Sequence, residues 1–565
     1  REYRAPRDAV ERELAAIWAQ VLELDRVGLD DDFFELGGHS LLATRIVSRA
    51  RQAFGVELPL RSLFESRRLE DFAAWVARAK ADGQVDGQGA ITLVDRQQRV
   101  ALSYSQQRMW FLWQLDPQSP AYNVGGMARL RGALHVDSFE RALQALIHRH
   151  ESLRTTFPSE DGKPWQQVSS RSDLAMQWLD ISAQAPAERE ASIARLADEQ
   201  AHAPFDLERG PLLRVCLVKS GEREHHLLLT LHHIVTEGWA MDIFARELGA
   251  LYEAFVDDRD SPLAPLPVQY LDYSAWHRGW LEGGEMQRQL DYWRAQLGGE
   301  QPLLALPSDR PRPAVQSHHG ELYRFDLDEH LAQQVTRFNS ERGLTLFMTM
   351  TAALSVLLYR YSGQDDLRIG VPLANRIRPE SEGLIGAFLN TQVLRIRPHG
   401  HMTVSELLAQ VRQVAIDGQS HQDVPFDHLV ETLQPERSAA WNPLFQVMCN
   451  VQRWEFQQQR ELAGGVKVDY LVNDARATKF DLNLEVTDFD EQLRCCLTYS
   501  SDLFDEARIA VMAAHWQHLL RAMLANPQQA LSELPLLADH EHQALVAAGR
   551  GDAPVAQVDS VQALF

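Results

Sequence analysis

A polar, glycine-rich segment, residues 79–98 ("ADGQVDGQGAITLVDRQQ" in its greater part), constrains this chain most, because it divides it into two unequal units. At 565 residues the chain is longer than a single hydrophobic core usually fills, so more than one domain is expected. Before the divide, residues 1–78 read as a small helical bundle. "RDAVERELAAIWAQVLEL" places Val10, Leu14, Ile17, Trp18 and Val21 on one helical stripe, and "LEDFAAWVARA" repeats the spacing with Leu69, Phe72, Trp75 and Val76. A helix starts near Ser40, and "FGVELPLRSLFE" suits a loop. So small a bundle has no room for a catalytic cleft, so its task is to present something. From residue 99 to 540 helices alternate with apolar runs of strand length, which indicates an α/β unit in two lobes. Asp137 and Glu140 suit a capping box for one of its helices.

Charge and cysteine content narrow the function. The 56 basic and 78 acidic residues leave a formal charge of −22, which argues against a nucleic-acid or anionic-membrane surface. No apolar run is long enough to span a bilayer, and no secretory leader opens the chain. Cys216, Cys449, Cys495 and Cys496 fit neither a disulfide framework nor a zinc site, so a reducing, cytoplasmic setting is expected. Starting without methionine and ending in mid-pattern, the chain reads as a piece of something longer.

Two stretches carry chemistry. In "ELGGHSLLATRI" (35–46) Ser40 follows two glycines where a helix begins. It is either an N-cap or a covalent attachment point, since a helix N-terminus offers free N–H groups and a positive dipole end to a phosphate. In "LHHIVTEGW" (231–239) a strand gives way to a loop at His232 and His233. Strand side chains alternate, so only one of the two can face a given cavity. Adjacent histidines diverge and no further ligands stand near, so a metal site is not expected. A general base at the strand end and a buried structural pair stay open.

"DDFFELGGHSLLATRI" resembles the carrier-protein signature of nonribosomal peptide synthetases, and the larger unit resembles their condensation domains over nearly its whole length. "LSYSQQRMWFL", "RHESLRTTF", "HHIVTEGW", "YLDYSAWH", "IGAFLNTQV", "HQDVPFDHL" and "NPLFQV" follow in the family's order. The resemblance implies a four-helix-bundle carrier (1–78), a linker (79–98), and a chloramphenicol-acetyltransferase-like condensation domain forming a V of two lobes (99–270 and 271–540). Residues 541–565 would be a linker toward an adenylation domain. Ser40 would bear 4′-phosphopantetheine, added by a phosphopantetheinyl transferase. An aminoacyl or peptidyl donor on that arm would be joined by an amide bond to an amino acid on a downstream acceptor carrier, with adenylation domains upstream and downstream supplying both.

Residue by residue, His233 matches the family's catalytic histidine, while His232 is structural. Gly238 would let the loop and the next helix approach closely, its backbone N–H steadying an oxyanion. Glu237 stands where the family has aspartate, and the expected partner of its carboxylate is Arg154. Epimerisation is the main alternative, disfavoured by His39 before Ser40 and by the form of the "SYSQQRMWFL" motif. A non-catalytic scaffold that only docks carriers is the other.

Overall fold

The computed structural model describes residues 3–549 apart from 39, 84–88, 171–175, 437, 454–458, 472–477 and 490–491. His39 and most of the expected C-terminal linker, 550–565, lie outside the described residues. The N-terminal unit is four helices, α1 (Ala9–Leu22), α2 (Ser40–Phe54), α3 (Arg61–Glu65) and α4 (Leu69–Ala81). Asp8 and Glu11 close a capping box that starts α1. The apolar stripe then buries Leu14, Ile17, Trp18 and Val21, with the Trp18 ring 5.8 Å from Phe33 and 6.3 Å from Phe72. Val10 and Trp75 stay half-buried at the edge. The segment expected to be a plain loop contains α3, a short helix that buries Leu63 and Phe64.

The divide is less free than its composition suggests. Val94 donates its backbone N–H to Asp272 at 2.8 Å, and Arg96 grips Asp272 with two nitrogens at 2.5 and 2.8 Å and Glu151 with a third at 2.9 Å. Asp272 is fully buried, so its carboxylate needs that partner. The second half of the linker is therefore a strap on the larger unit.

That unit has α5 (Tyr104–Leu115), α6 (Val136–Arg149), α7 (Pro186–His202), α8 (Gly238–Val256) and α9 (Tyr270–Trp280) in its first part. Two six-stranded sheets form its lobes. Their strands are β1 (Asn123–Arg131), β2 (Gln177–Asp180), β3 (Leu213–Gly221), β4 (Glu224–His232), β5 (Gly320–Asp326), β6 (Leu367–Leu373), β7 (Asn390–Ile396), β8 (Val447–Arg453), β9 (Gln459–Leu462), β10 (Val466–Leu471), β11 (Leu482–Phe489) and β12 (Gln492–Ser500). The first sheet runs β9-β10-β1-β4-β3-β2 and the second β7-β6-β8-β11-β12-β5. The expected lobe boundary near residue 270 is thus incomplete. The β9–β10 hairpin leaves the second lobe and pairs with β1, with Leu130 opposite Val468. Val466 and Val468 bury against that first core, which offsets the crossover.

Two smaller expectations also change. His135, not Asp137, caps α6 by accepting from Ser138 N–H, because the helix begins at Val136. Residues 541–549, expected to be linker, belong to a helix, Asp539–Gly549, that His515 holds through Glu541. Among the described residues no single helix is long and apolar enough to cross a membrane.

Candidate active site

Strand β4 lies inside its sheet between β1 and β3, where Leu227, Leu228, Leu229 and Leu231 form its apolar run before His232. His232 ends the strand, and His233 begins the turn with its N–H on the Tyr122 carbonyl at 2.8 Å. The two side chains have different surroundings. His232 is buried between Tyr122 and Phe205, and its Nδ1 accepts the Ile234 N–H at 3.1 Å. Burial, with smaller repulsion from His233 and Arg214, depresses its pKa to about 3. His233 is half-buried, and burial followed by the charge of Lys479 depresses its pKa to about 4. Lys479 itself lies 4.1 Å above the Tyr122 ring, and desolvation lowers it to about 8. Both histidines are neutral at physiological pH.

Glu237 is the N-cap of α8, yet its carboxylate caps nothing. It turns instead to Arg376, whose Nη2 and Nε both reach Oε1 at 2.8 and 3.2 Å. Each side chain is 2% exposed. Burial pushes the carboxyl up and the guanidinium down, and each charge opposes the other's shift. The Arg376 Nη1 is satisfied by the Ser381 and Leu384 carbonyls at 2.5 and 2.8 Å. Arg154, expected as the partner, points elsewhere and donates to the carbonyls of Ser169 at 2.5 Å and His148 at 3.2 Å. It ends the helical turn Glu151–Arg154, and its partners are carbonyls that flank that turn and the ribbon following it. Gly238 also differs from expectation, since a Cβ there would meet nothing within 4 Å. It keeps space open; it does not permit a tight contact.

The remaining motifs converge behind this loop. Ser103 of the first motif bonds the Tyr270 hydroxyl at 2.8 Å, which reaches the Ala387 carbonyl at 2.8 Å. Ser152 of the second donates to the Ile385 carbonyl at 2.7 Å. Gly386 is obligatory there, because a Cβ would lie 2.0 Å from the Tyr270 ring. Asn390 ties the same strand to the carbonyls of Gln422 and Val424 at 2.8 Å each. The Ser103–Tyr270–Ala387 and Ser152–Ile385 links pin residues 385–387 of the second lobe to the first, while Asn390 ties its strand within the second.

A chamber of 780 Å³ reaches the loop at Glu237, Gly238 and Trp239. One wall is α8 with β1, β4 and β10; the other includes β6, Arg376 and β8. His233 does not line it. Thr44 does, and it belongs to carrier helix α2, one turn beyond Ser40. The carrier is seated there by Ser48, which donates to the Ile377 carbonyl at 2.8 Å, and by Arg49, 2.9 Å from Glu382. Arg45 is 3.9 Å from the same carboxylate and 5.1 Å from the Trp239 ring. Arg67 and Arg412 add bonds to the Ser340 and Phe64 carbonyls at 2.9 Å each.

Ser40 is the first residue of α2. The preceding turn closes tightly, since a Cβ on Gly38 would come within 2.4 Å of the Phe33 carbonyl. A serine at the head of a helix, beside a chamber mouth, fits a phosphoester-linked arm. Sequence reasoning missed Arg376, Glu382 and Lys479. The "ANRIRPE" stretch between a strand and the "IGAFLN" motif was the available signal, being basic where burial was expected.

Known proteins agree with this layout. The condensation-domain family model matches residues 96–546 and the phosphopantetheine-attachment-site model residues 12–76. One of the linear gramicidin synthase proteins of Brevibacillus parabrevis is 45% identical over 96% of this chain, and malpibaldin synthetase of Mortierella alpina 40% identical over 96%. The chain spans only 7% and 10% of those two relatives. Among solved structures, the X-domain from teicoplanin biosynthesis superposes with a TM-score of 0.71 at 29% identity, covering 80% of this chain and 100% of that one. The starter condensation domain of rhizomide synthetase does so at 0.65 and 22%, covering 78% of this chain and 100% of that one, a likeness of fold. The chain therefore belongs to the condensation-domain family of nonribosomal peptide synthetases and joins to that domain a carrier whose cofactor is covalent 4′-phosphopantetheine.

Proposed function

We propose that Ser40 carries the arm, and that the condensation domain joins the acyl group borne on it to the amine of an aminoacyl acceptor on another carrier. The observation that carries this reading is Thr44, which brings the attachment helix to the mouth of a chamber ending at the Glu237–Trp239 loop. The arm's terminal thiol supplies the donor as a thioester. The acceptor nitrogen attacks the thioester carbonyl, the C–N bond forms, the C–S bond breaks, and one amine proton ends on the departing sulfur. Because a thioester is already activated, positioning accounts for much of the acceleration. His233 does the positioning. With a pKa of about 4 it is too weak a base to strip an ammonium group, whose pKa is about 8, so the amine arrives neutral and the imidazole orients it through a hydrogen bond. The acceptor carrier, the adenylation domains and the phosphopantetheinyl transferase are the partners this reaction requires.

Intact-mass measurement tests the reading. Coenzyme A and a phosphopantetheinyl transferase should add one arm to the wild type and none to Ser40→Ala. An aminoacyl donor on Ser40 should then transfer to a loaded acceptor carrier, while His233→Ala loads normally and transfers far more slowly. Inverted donor stereochemistry without transfer would mean epimerisation instead.

A further inference from the structure

We infer that the chamber under the carrier is a specificity pocket for a bulky, apolar donor acyl group, with Gly126 and Met241 setting its capacity. This inference rests on the proposed donor role of Ser40. Three observations lead to it. First, the chamber's volume of 780 Å³ lies within the roughly 300–1,000 Å³ of pockets that enclose a whole small ligand, which is more than a pantetheine arm alone requires. Second, the wall built by α8 and the first sheet is apolar, formed by Leu229, Met241, Phe244, Leu248 and the ring of Tyr470. Gly126 faces that wall from β1, and a Cβ on it would come no nearer than 3.9 Å to the Met241 methyl. A glycine in the interior of a nine-residue strand, with open space before it, leaves room that a side chain would fill.

Third, the opposite wall holds polar groups with nothing to bond. The amide oxygens of Asn375, Gln392 and Gln419 are buried and have no hydrogen-bond partner among the described residues, and all three side chains line the chamber. A buried polar group without a partner is costly, so a ligand that bonds it recovers part of that cost. Amides accept and donate, which suits the N–H and C=O groups of an aminoacyl or peptidyl donor. A cation for an acidic donor is not on offer, and Asp242 adds a carboxylate to the lining. Glu237 is consumed by Arg376, and Arg453 stands opposite Asp488 in strand register. An acidic donor side chain would therefore be desolvated against Phe244 and Leu248, with both of the chamber's arginines already facing carboxylates.

Phenylalanyl, leucyl, alanyl and aspartyl groups, loaded on Ser40 of the full chain from their coenzyme A thioesters, test this in two readouts. The first is thioester lifetime without acceptor, normalised to the free pantetheine thioester of the same amino acid, which reads the chamber whether or not amide bonds form. Phenylalanyl and leucyl groups should be protected severalfold over aspartyl. The second is transfer to a loaded acceptor carrier, where the apolar donors should exceed aspartyl by about tenfold or more. Gly126→Leu should remove the protection of phenylalanyl and slow its transfer about tenfold, leaving alanyl within about twofold. Met241→Trp fills the same space from α8 and should act alike, which guards against a folding defect in either variant. Equal normalised lifetimes for aspartyl and phenylalanyl thioesters overturn the inference, as do variants that slow alanyl and phenylalanyl equally. Protection without any transfer in the wild type would sink the proposed condensation reaction and leave the pocket standing.

Discussion

Two sets of ions attach to one short stretch of the second lobe, and they are built for opposite purposes. Arg376 points inward and pairs with Glu237, both side chains 2% exposed and the arginine further tied to two carbonyls. Six residues on, Glu382 points outward to Arg45 and Arg49 of the carrier, with exposures of 17% for the carboxylate and 18% and 24% for the arginines. The first pair cannot open without stranding a charge in the core. The second can exchange its partner for water at little cost, as a carrier that visits several sites must. Burial, not distance, separates a brace from a latch here, because the N···O distances of 2.8 and 2.9 Å are almost equal.

The largest expected effect comes from breaking the brace. Arg376→Ala and Glu237→Ala should each lose about 3–5 kcal/mol, since either leaves an uncompensated buried charge. Denaturant melts measure the loss, and transfer assays should show both variants inactive. The double variant should be less damaged than the sum of the two, with a coupling energy in the range found for contacting residues, about 0.5–3 kcal/mol. Strict additivity would mean that the pair does not act as one. Glu237→Asp shortens the reach to Arg376 by one methylene and should fall between wild type and alanine.

Acid strikes the buried side of the comparison alone. His232 at about 3 and His233 and His277 at about 4 are held neutral by burial, against about 6.5 when unfolded. Their folded pKa values are depressed, so the unfolded chain binds more protons below pH 6.5, and stability falls as pH drops from there toward 4. Asp423, raised by burial to about 6, works the other way, because the folded state takes up its proton first. Three losses against one gain leave a net fall in stability as pH drops from 6 toward 4. Melting temperatures at pH 7, 6 and 5 measure it, and a flat profile would refute the assignment of neutral buried histidines.

Opening the latch should cost less and leave the fold intact. Two partly exposed pairs contribute about 0.2–1 kcal/mol each, so Glu382→Arg should slow transfer from Ser40 by up to about tenfold without changing the melting temperature. Salt should mimic the variant. The double reversal of Arg49→Glu with Glu382→Arg should recover part of the rate. Failure to do so would show that the seam is held by Ser48 and the arginine–carbonyl bonds alone.

Sequence and structure part company at the same place. Helices α1, α2 and α4 were legible because each has its own apolar stripe, α1 also being capped by Asp8 and Glu11, whereas the five-residue α3 is too short to show a period. The strand, loop and helix around His233 were legible for the same local reason, with the leucine run of β4 ending at His232 and α8 starting directly after Glu237. Arg376 was not, since it lies 139 residues from its partner and nothing in "ANRIRPE" states which way a guanidinium turns. The β9–β10 hairpin escaped similarly, because joining the first sheet depends on an edge at β1 that only the assembled lobe presents. Local periodicity fixes elements, while partners across the chain are settled by burial.

Arg154 gives the smallest effect and the sharpest control. It is half-buried, and burial lowers its pKa, but its hydrogen bonds go only to carbonyls of neighbouring chain, at Ser169 and His148. Carbonyls left behind by Arg154→Ala can turn to water at the surface, so the loss should stay near 1 kcal/mol. No carboxylate is stranded, in contrast to Arg376→Ala. Paired with Glu237→Ala, Arg154→Ala should add within about 0.5 kcal/mol, as distant sites do. Transfer from Ser40 should remain within about twofold of wild type, because nothing in the loop from His233 to Gly238 leans on this side chain. A loss of activity equal to that of Arg376→Ala would restore Arg154 to the active-site loop and break the distinction between the two arginines.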